Sequence, residues 1–144
     1  MTSRPVLCAV DISNPNLDND VLKMAKKLAD LDDAQLDVIT VVPDFGMSVV
    51  GSFFEEHHHE EAVVEAQRLL NELVTNVLGE KVNKDVRHIV ATGNAYEEIL
   101  KAAEIGNTGL IVIGAHKPDF KDYLLGPNAS RVVRHSNCSV FVVR

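Results

Sequence analysis

The sequence predicts an α/β fold in which a five-stranded parallel sheet is covered by helices on both faces. Apolar runs alternate with segments whose apolar residues recur at helical spacing, in the order β-α-β-α-β-α-β-α-β, which is typical of parallel sheets with right-handed crossovers. The run Leu110–Ile113 is apolar at four consecutive positions, as expected of a strand buried on both faces. The length of 144 residues indicates a single domain, residues 1–144.

The first part of the chain is predicted to form strand, helix and strand. The apolar run Pro5–Val10 predicts the first strand, which ends at Asp11 before a loop rich in asparagine and serine. Apolar residues at helical spacing predict a helix over roughly Asp18–Leu31. The second strand is predicted over Leu36–Val42.

The longest helix is predicted over Glu60–Leu78, after a glycine-containing loop from Pro43 to about Glu55. The residues expected to form its buried stripe are Val63, Ala66, Leu70, Leu73, Val74 and Val77. The third strand is predicted over Val86–Thr92.

A glycine turn precedes the next helix, which is predicted to begin at Asn94 and to end at Ile105. Asn94 and Glu97 have the spacing of a capping box. After the strand Leu110–Ile113, a short helix is predicted over Ala129–His135 and the last strand over Val140–Val143.

The charge is acidic overall but unevenly distributed. A net charge of −7 argues against nucleic acid as a partner. Residues 1–114 have a balance of −10 and residues 115–144 a balance of +3. The basic excess in the last segment either favours an anionic ligand there or reflects a solvated basic face.

The first residues lack the layout of a signal peptide, and their apolar run is too short to span a bilayer. We therefore expect a cytoplasmic protein without a membrane partner. Cys8 and Cys138 are interpreted as reduced thiols, one of them a core residue.

Glycines and polar residues gather where ligands of parallel α/β sheets bind. We place the topological switch point between the first and fourth strands, which end at Asp11 and Gly114. A second glycine, Gly126, comes just before the last helix, whose free N–H groups point at anions. This pattern predicts a phosphate or nucleotide site, with His116 and Lys117 on the intervening loop facing either phosphate or solvent.

Several polar residues have two interpretations. Asp11 faces a polar edge of the ligand or caps its own loop. Asp119 and Asp122 ligate magnesium bound to phosphates or lie in solvent, and Ser130 donates to phosphate from the last helix or faces water. The histidines His57–His59 suit either a divalent cation or, by preference, a solvated helix start.

The motifs of several enzyme classes are absent from the sequence. The loop after the first strand reads DISNPN, and it matches neither the Walker A motif, nor GxGxxG, nor a pyrophosphatase loop. GxSxG and HExxH do not occur either. We therefore do not expect an enzyme.

Four segments carry a resemblance to a known family. The segments VLCAVDIS, ITVVPDF, GNAYEEILKAAE and GAHKPDFKDYLLGPNASRVVRHSNCSVFVVR resemble the universal stress protein family, in particular its small bacterial F/G-type branch. The resemblance covers essentially the whole chain. It implies a sheet in the order 3-2-1-4-5 and a homodimer formed through the last strand, where Phe141 and Val143 would help to bury the contact.

The resemblance also implies a bound adenine nucleotide, ATP in the first place, alone or with Mg²⁺. Carried over to this chain, the residues near the adenine are Ala9, Val10, Asp11 and Val41, those bordering base and ribose are Ile113 and Gly114, and those lining the phosphates are His116, Lys117, Gly126, Asn128, Ala129 and Ser130.

The chain departs from the family's ATP motif, Gly-x2-Gly-x9-Gly-Ser/Thr, in three ways. Lys117 stands at the second glycine, the following gap is eight residues, and Pro127 replaces the serine or threonine. Pro127 lacks an N–H, yet proline suits a first helical turn and leaves the amides of Asn128 and Ala129 free. The site is altered rather than destroyed.

Three functions remain open from the sequence. The chain is a nucleotide-binding stress-response regulator, a dimeric stress or interaction protein that binds no nucleotide, or a slow ATPase. Only Asp119 and Asp122 favour the third.

Overall fold

The computed structural model describes residues 3–14, 16–43, 52–115 and 126–144, and for residues 52–59 it describes the backbone alone. The strands are β1 Val6–Ala9, β2 Leu36–Val42, β3 Arg87–Thr92, β4 Leu110–Gly114 and β5 Ser139–Val143. The helices are α1 Asn19–Leu31, α2 Ser52–Leu78, α3 Glu80–Asn83, α4 Ala95–Ile105 and α5 Gly126–His135.

The five strands form one parallel sheet in the order β3-β2-β1-β4-β5, which confirms the predicted fold class. The central strand is β1, where Cys8 lies in register with Val38 of β2 and with Val112 of β4. All four residues of β1 are buried. A continuous apolar run is what a strand needs when helices cover both faces of its sheet.

Successive side chains of each strand point to opposite faces of the sheet, so the sheet has two cores. On one face, Cys8 and Val112 pack with α1 and α2. On the other face, Leu7 and Ile113 pack with α4 and α5. We call these the α1/α2 face and the α4/α5 face.

The helix α2 confirms the predicted stripe but starts earlier than predicted. Ala66, Leu70 and Val74 are buried, and the other three members of the stripe are half-buried. The helix α2 begins at Ser52, eight residues before the predicted start at Glu60. The predicted loop to about Glu55 therefore extends too far along the chain. Apolar periodicity reports only the turns that pack on a core, and a helix can extend beyond them.

A short helix that the sequence did not predict, α3, connects α2 to β3. Its Asn83 donates to Asn71 Oδ1 and to Thr75 Oγ1, both at 2.8 Å. Asn83 Oδ1 also lies 2.6 Å from His88 Nε2. The buried side-chain amide of Asn83 therefore joins α2 to the start of β3.

In the parts of the chain that the structure describes, no helix combines the length and the apolar character needed to cross a bilayer.

Leu22 and Leu31, two of the three leucines of α1, provide a test of the α1/α2 core. Leu22 is 0% exposed and Leu31 is 78% exposed. We expect Leu22→Ala to lower the free energy of unfolding by about 3 kcal/mol, because a buried leucine leaves a cavity. Leu31→Ala, the same change in the same helix, is expected to cost less than about 0.5 kcal/mol. Urea denaturation measures both, and equal losses would contradict the assignment of the two faces.

Candidate functional site

The sheet opens at the point where β1 and β4 end side by side. The strand β1 leads into α1 on the α1/α2 face, and β4 leads towards α5 on the α4/α5 face. Such a change of direction leaves a crevice at the carboxyl edge of a parallel sheet. We call the carboxyl edge of the sheet between Asp11 and Gly114 the switch-point crevice, and the strand order places the switch between β1 and β4, as the sequence predicted.

The apolar residues predicted to border a base come together around this crevice. Ala9, Val10 and Ile113 are at most 2% exposed, and Val41 is 7% exposed. Gly114, the last residue of β4, is also buried. Their backbones are held by the ladders of the central strands, so this wall of the crevice is rigid.

Asp11 closes the loop that follows β1. Its carboxylate is 2% exposed, and its Oδ1 accepts hydrogen bonds from the Ser13 backbone N–H at 2.9 Å and from Ser13 Oγ at 2.6 Å. A longer contact of 3.4 Å joins Asn14 Nδ2 to Asp11 Oδ2. Of the two interpretations of Asp11, the structure shows the loop cap, and contact with a ligand stays a prediction.

A second buried carboxylate supports the same loop. Asp18, the N-cap residue of α1, is 1% exposed, and its Oδ2 accepts a hydrogen bond from the Asp11 backbone N–H at 2.6 Å. The loop is therefore anchored at both ends by aspartates. Burial, and secondly the negative charge of Asp18, raise the pKa of the Cys8 thiol, so Cys8 is an inert core thiol as predicted.

The first turn of α5 lies beyond β4. Gly126 begins the helix, Pro127 is exposed, and Ala129 is buried against the α4/α5 core. Ser130 is exposed one turn into the helix, further from the helix start than predicted. The Asn128 side chain is already engaged, since its Oδ1 accepts a hydrogen bond from the Tyr96 backbone N–H at 3.1 Å.

That hydrogen bond corrects the predicted capping box of α4. Asn94 is the N-cap residue of α4, but its side chain makes no capping hydrogen bond. An amide of the first turn is satisfied instead by Asn128, which lies 32 residues further along the chain. The contact between Tyr96 and Asn128 could not be predicted from the sequence, because no local spacing signals a cap that another helix supplies.

Several predicted residues lie outside the described part of the chain. His116, Lys117, Asp119 and Asp122 belong to the segment between Ala115 and Gly126. The side chains of His57–His59 are likewise outside it. Among the described residues, no group of three His, Cys, Asp or Glu side chains is arranged to hold a metal ion.

A cavity of about 360 Å³ lies beside the loop on the α1/α2 face. Its lining includes Asn16 and Asn19 from the loop and the start of α1, and Lys23 and Glu72 across the two helices. The sequence signal was the group of asparagines, which we interpreted only as turn residues. Asp11 lines the cavity as well, and the mixture of amides with one ammonium and two carboxylates favours no single class of ligand.

The described groups with shifted pKa lie away from the crevice, apart from Cys8. Burial raises the pKa of Asp37 at the start of β2, while the Arg87 guanidinium 2.7 Å away opposes it. Burial lowers the pKa of His88 at the start of β3. Both lie at the amino edge of the sheet, opposite the crevice, so these shifts reflect structural burial and pairing.

The fold is a doubly wound α/β domain with a topological switch point between β1 and β4. The model of the universal stress protein family matches residues 2–144, and the chain belongs to this family. Universal stress protein G of Shigella flexneri is 29% identical over 147 aligned positions, which cover 98% of this chain and 99% of the relative.

Solved structures show the same fold. A universal stress protein in complex with cAMP superposes with a TM-score of 0.69 at 18% identity, covering 100% of this chain and 98% of that one. The universal stress protein of Archaeoglobus fulgidus in complex with dAMP superposes with a TM-score of 0.63 at 19% identity, covering 100% of both chains.

Substitutions of Asp11 test the loop cap. Asp11→Ala removes the carboxylate that accepts both Ser13 hydrogen bonds, and because hydrogen bonds to charged groups are stronger than neutral ones we expect it to lower the free energy of unfolding by about 2 kcal/mol. Asp11→Asn keeps an acceptor oxygen at the same position and is expected to cost less than half as much. Thermal unfolding followed by circular dichroism compares the two. A loss that is equal for both variants would mean that the negative charge, and not the acceptor, holds the loop.

Proposed function

We propose that the protein is a stress-response regulator that binds ATP or a related adenine nucleotide in the switch-point crevice. The single observation that carries the proposal is the topology, in which β1 and β4 end side by side with buried apolar residues and β4 leads towards α5. Family membership and the two relatives solved with cAMP and dAMP support an adenine ligand.

In this proposal the purine lies against the apolar ends of the strands. Ala9, Val41 and Ile113 belong to the same face of the sheet and supply the apolar surface that a flat base needs. Val10 and Asp11 would border the base; their backbone N–H groups donate to Ile39 O and Asp18 Oδ2, and the Asp11 side chain holds the loop in place.

The phosphates would lie at the start of α5. Free N–H groups of a first helical turn and the positive end of the helix dipole attract anions. Gly126 permits close approach, and Asn128 and Ala129 would line the phosphates beside it, while Pro127 supplies no N–H. Ser130, His116 and Lys117 would line the phosphates, with Lys117 acting as a point charge in place of a glycine backbone.

We propose binding rather than catalysis. Perturbed pKa values mark catalytic acids and bases, and the shifted carboxyl and imidazole at the amino edge of the sheet belong to structural contacts. A slow ATPase activity would depend on Asp119 and Asp122 with Mg²⁺. Phosphate release measured at matched nucleotide occupancy tests that alternative.

We further propose that the protein is a cytoplasmic homodimer. The outer edge of β5 pairs with no strand of the described sheet, and Phe141 and Val142 are 38% and 36% exposed there. Apolar side chains on a free edge strand favour pairing with a second copy. Val143 is half-buried and packs against the α1/α2 core, so it would support the edge from within. Both free cysteines suit a reducing compartment.

The second candidate is a dimeric interaction protein that binds no nucleotide. Its support is the loss of the second glycine and of the hydroxyl residue at Lys117 and Pro127. Equilibrium dialysis with ATP, ADP, AMP and cAMP separates it from the first candidate, because it predicts no saturable uptake of any of the four.

Gly126→Val tests the phosphate end of the site. We expect an increase of at least about tenfold in the dissociation constant for ATP, because a branched side chain blocks the close approach of a phosphate to the helix start. The thermal midpoint should stay within a few degrees of the wild-type value, since Gly126 begins the helix. Val133→Ala on the same helix is the control, because Val133 is 51% exposed and is not among the proposed binding residues. Unchanged ATP affinity in Gly126→Val would contradict the placement of the phosphates.

Phe141→Glu tests the dimer. A carboxylate on the edge strand places like charges opposite each other in a symmetric contact, so we expect a monomer at tens of micromolar. Val64→Glu is the control, because Val64 is 64% exposed on α2, away from β5. Light scattering gives the mass. A wild-type monomer, or a Phe141→Glu dimer, would refute the contact.

A further inference from the structure

Three residues of α5 contact a single residue of α4, Tyr96. Asn128 Oδ1 accepts the hydrogen bond from the Tyr96 backbone N–H at 3.1 Å. The Arg131 guanidinium carbon lies 5.2 Å from the centroid of the Tyr96 ring. The His135 and Tyr96 ring centroids are 6.4 Å apart, with the ring planes inclined by 32°. We call this set of contacts the Tyr96 clasp.

The spacing of the three residues shows why they reach the same partner. Positions i, i+3 and i+7 of a helix lie on one face, so Asn128, Arg131 and His135 form a stripe along α5. Each contact has a different chemistry: a hydrogen bond to a backbone amide, a cation–π contact and a contact between two rings. Together they specify how α5 is rotated about its axis and how far it is shifted along it.

The core contacts of α5 constrain its rotation about the helix axis and its shift along that axis less strongly. Ala129 and Val132 are the buried residues that attach the helix to the sheet. Both are small apolar side chains, and the hydrophobic effect that holds them is not directional. Val133, by contrast, is 51% exposed. Directional contacts on α5 are therefore concentrated on Tyr96, which is itself fixed as the second residue of α4.

The position of α5 matters because its first turn would hold the phosphates. Donor groups aimed at an anion bind well only if they are already held in the correct orientation. Asn128 lies in this first turn, and its side chain anchors the helix to α4. A rotation of α5 would turn the first turn of the helix away from the crevice.

We propose that Tyr96 is a positioning residue of the nucleotide site. This role rests on the proposed function and involves no contact of Tyr96 with the nucleotide: Tyr96 holds the amino-terminal turn of α5 in the orientation that phosphate binding needs. Its partners are Asn128, Arg131 and His135, so Pro127 in place of a hydroxyl residue leaves these contacts intact.

Three substitutions of Tyr96 in the full-length chain test the proposal. Tyr96→Ala removes the ring while leaving the backbone amide. Tyr96→Leu keeps an apolar side chain of similar burial but has no π face for Arg131. Tyr96→Phe keeps the ring and loses only the hydroxyl, which is 3.3 Å from Glu97 Oε1, and it serves as the matched control.

Two quantities are measured for each variant: the ATP dissociation constant by equilibrium dialysis, and amide hydrogen exchange in α5 and in β4 without nucleotide. We expect Tyr96→Ala and Tyr96→Leu to raise the dissociation constant by about tenfold. Exchange should become faster in α5, while β4 keeps its protection. Tyr96→Phe should match the wild type in both quantities. Should Tyr96→Ala fail to fold, Tyr96→Leu carries the test.

The two readouts separate failure of this inference from failure of the proposed function. If wild-type protein takes up no ATP, the nucleotide proposal fails, and with it the role of Tyr96 in binding, whatever the exchange rates show. If wild-type protein binds ATP and Tyr96→Leu binds equally well, the clasp is a structural contact only and the inference is overturned. Faster exchange in α5 together with weaker binding supports it.

Discussion

Parallel pairing of β1 with both β2 and β4 is the constraint on which the rest of the structure depends. A central strand with neighbours on both sides has no solvent-exposed edge, and its side chains must be apolar in both directions. Because parallel strands need long crossovers, the chain leaves β1 over one face and β4 over the other. The crevice between their ends follows from this topology and not from any single side chain.

The loop at the crevice is held by two carboxylates, of which Asp11 was also a candidate for contact with a ligand. Asp11 accepts the hydrogen bonds of Ser13, and Asp18 accepts that of the Asp11 backbone N–H. Asp18 stabilises the loop because the N–H of the buried Asp11 would otherwise be unpaired away from water. A rigid rim is in turn what a site needs when it recognises a ligand mainly through shape and backbone groups.

The opposite rim depends on a contact between helices. The start of α5 can act as an anion site only if the helix is held in one orientation, and a short helix packed through Ala129 and Val132 has few directional contacts with the sheet. Tyr96 supplies them from α4. The strand β5 follows α5 directly along the chain, so a second copy bound at the outer edge of β5 would lie near that helix.

Local patterns in the sequence determined the strands, the buried stripe of α2 and the location of the crevice. Apolar runs and apolar residues at 3.6-residue spacing show which side chains are buried on folding. The strand β2, for example, begins and ends at the predicted Leu36 and Val42. The start of α2 at Ser52, the helix α3 and the cap of α4 were decided by tertiary structure. Asn94 is a residue type that often caps helices, yet it is Asn128 that accepts the hydrogen bond of the Tyr96 backbone N–H. The partner of that amide depends on which helix lies beside α4 in the folded chain.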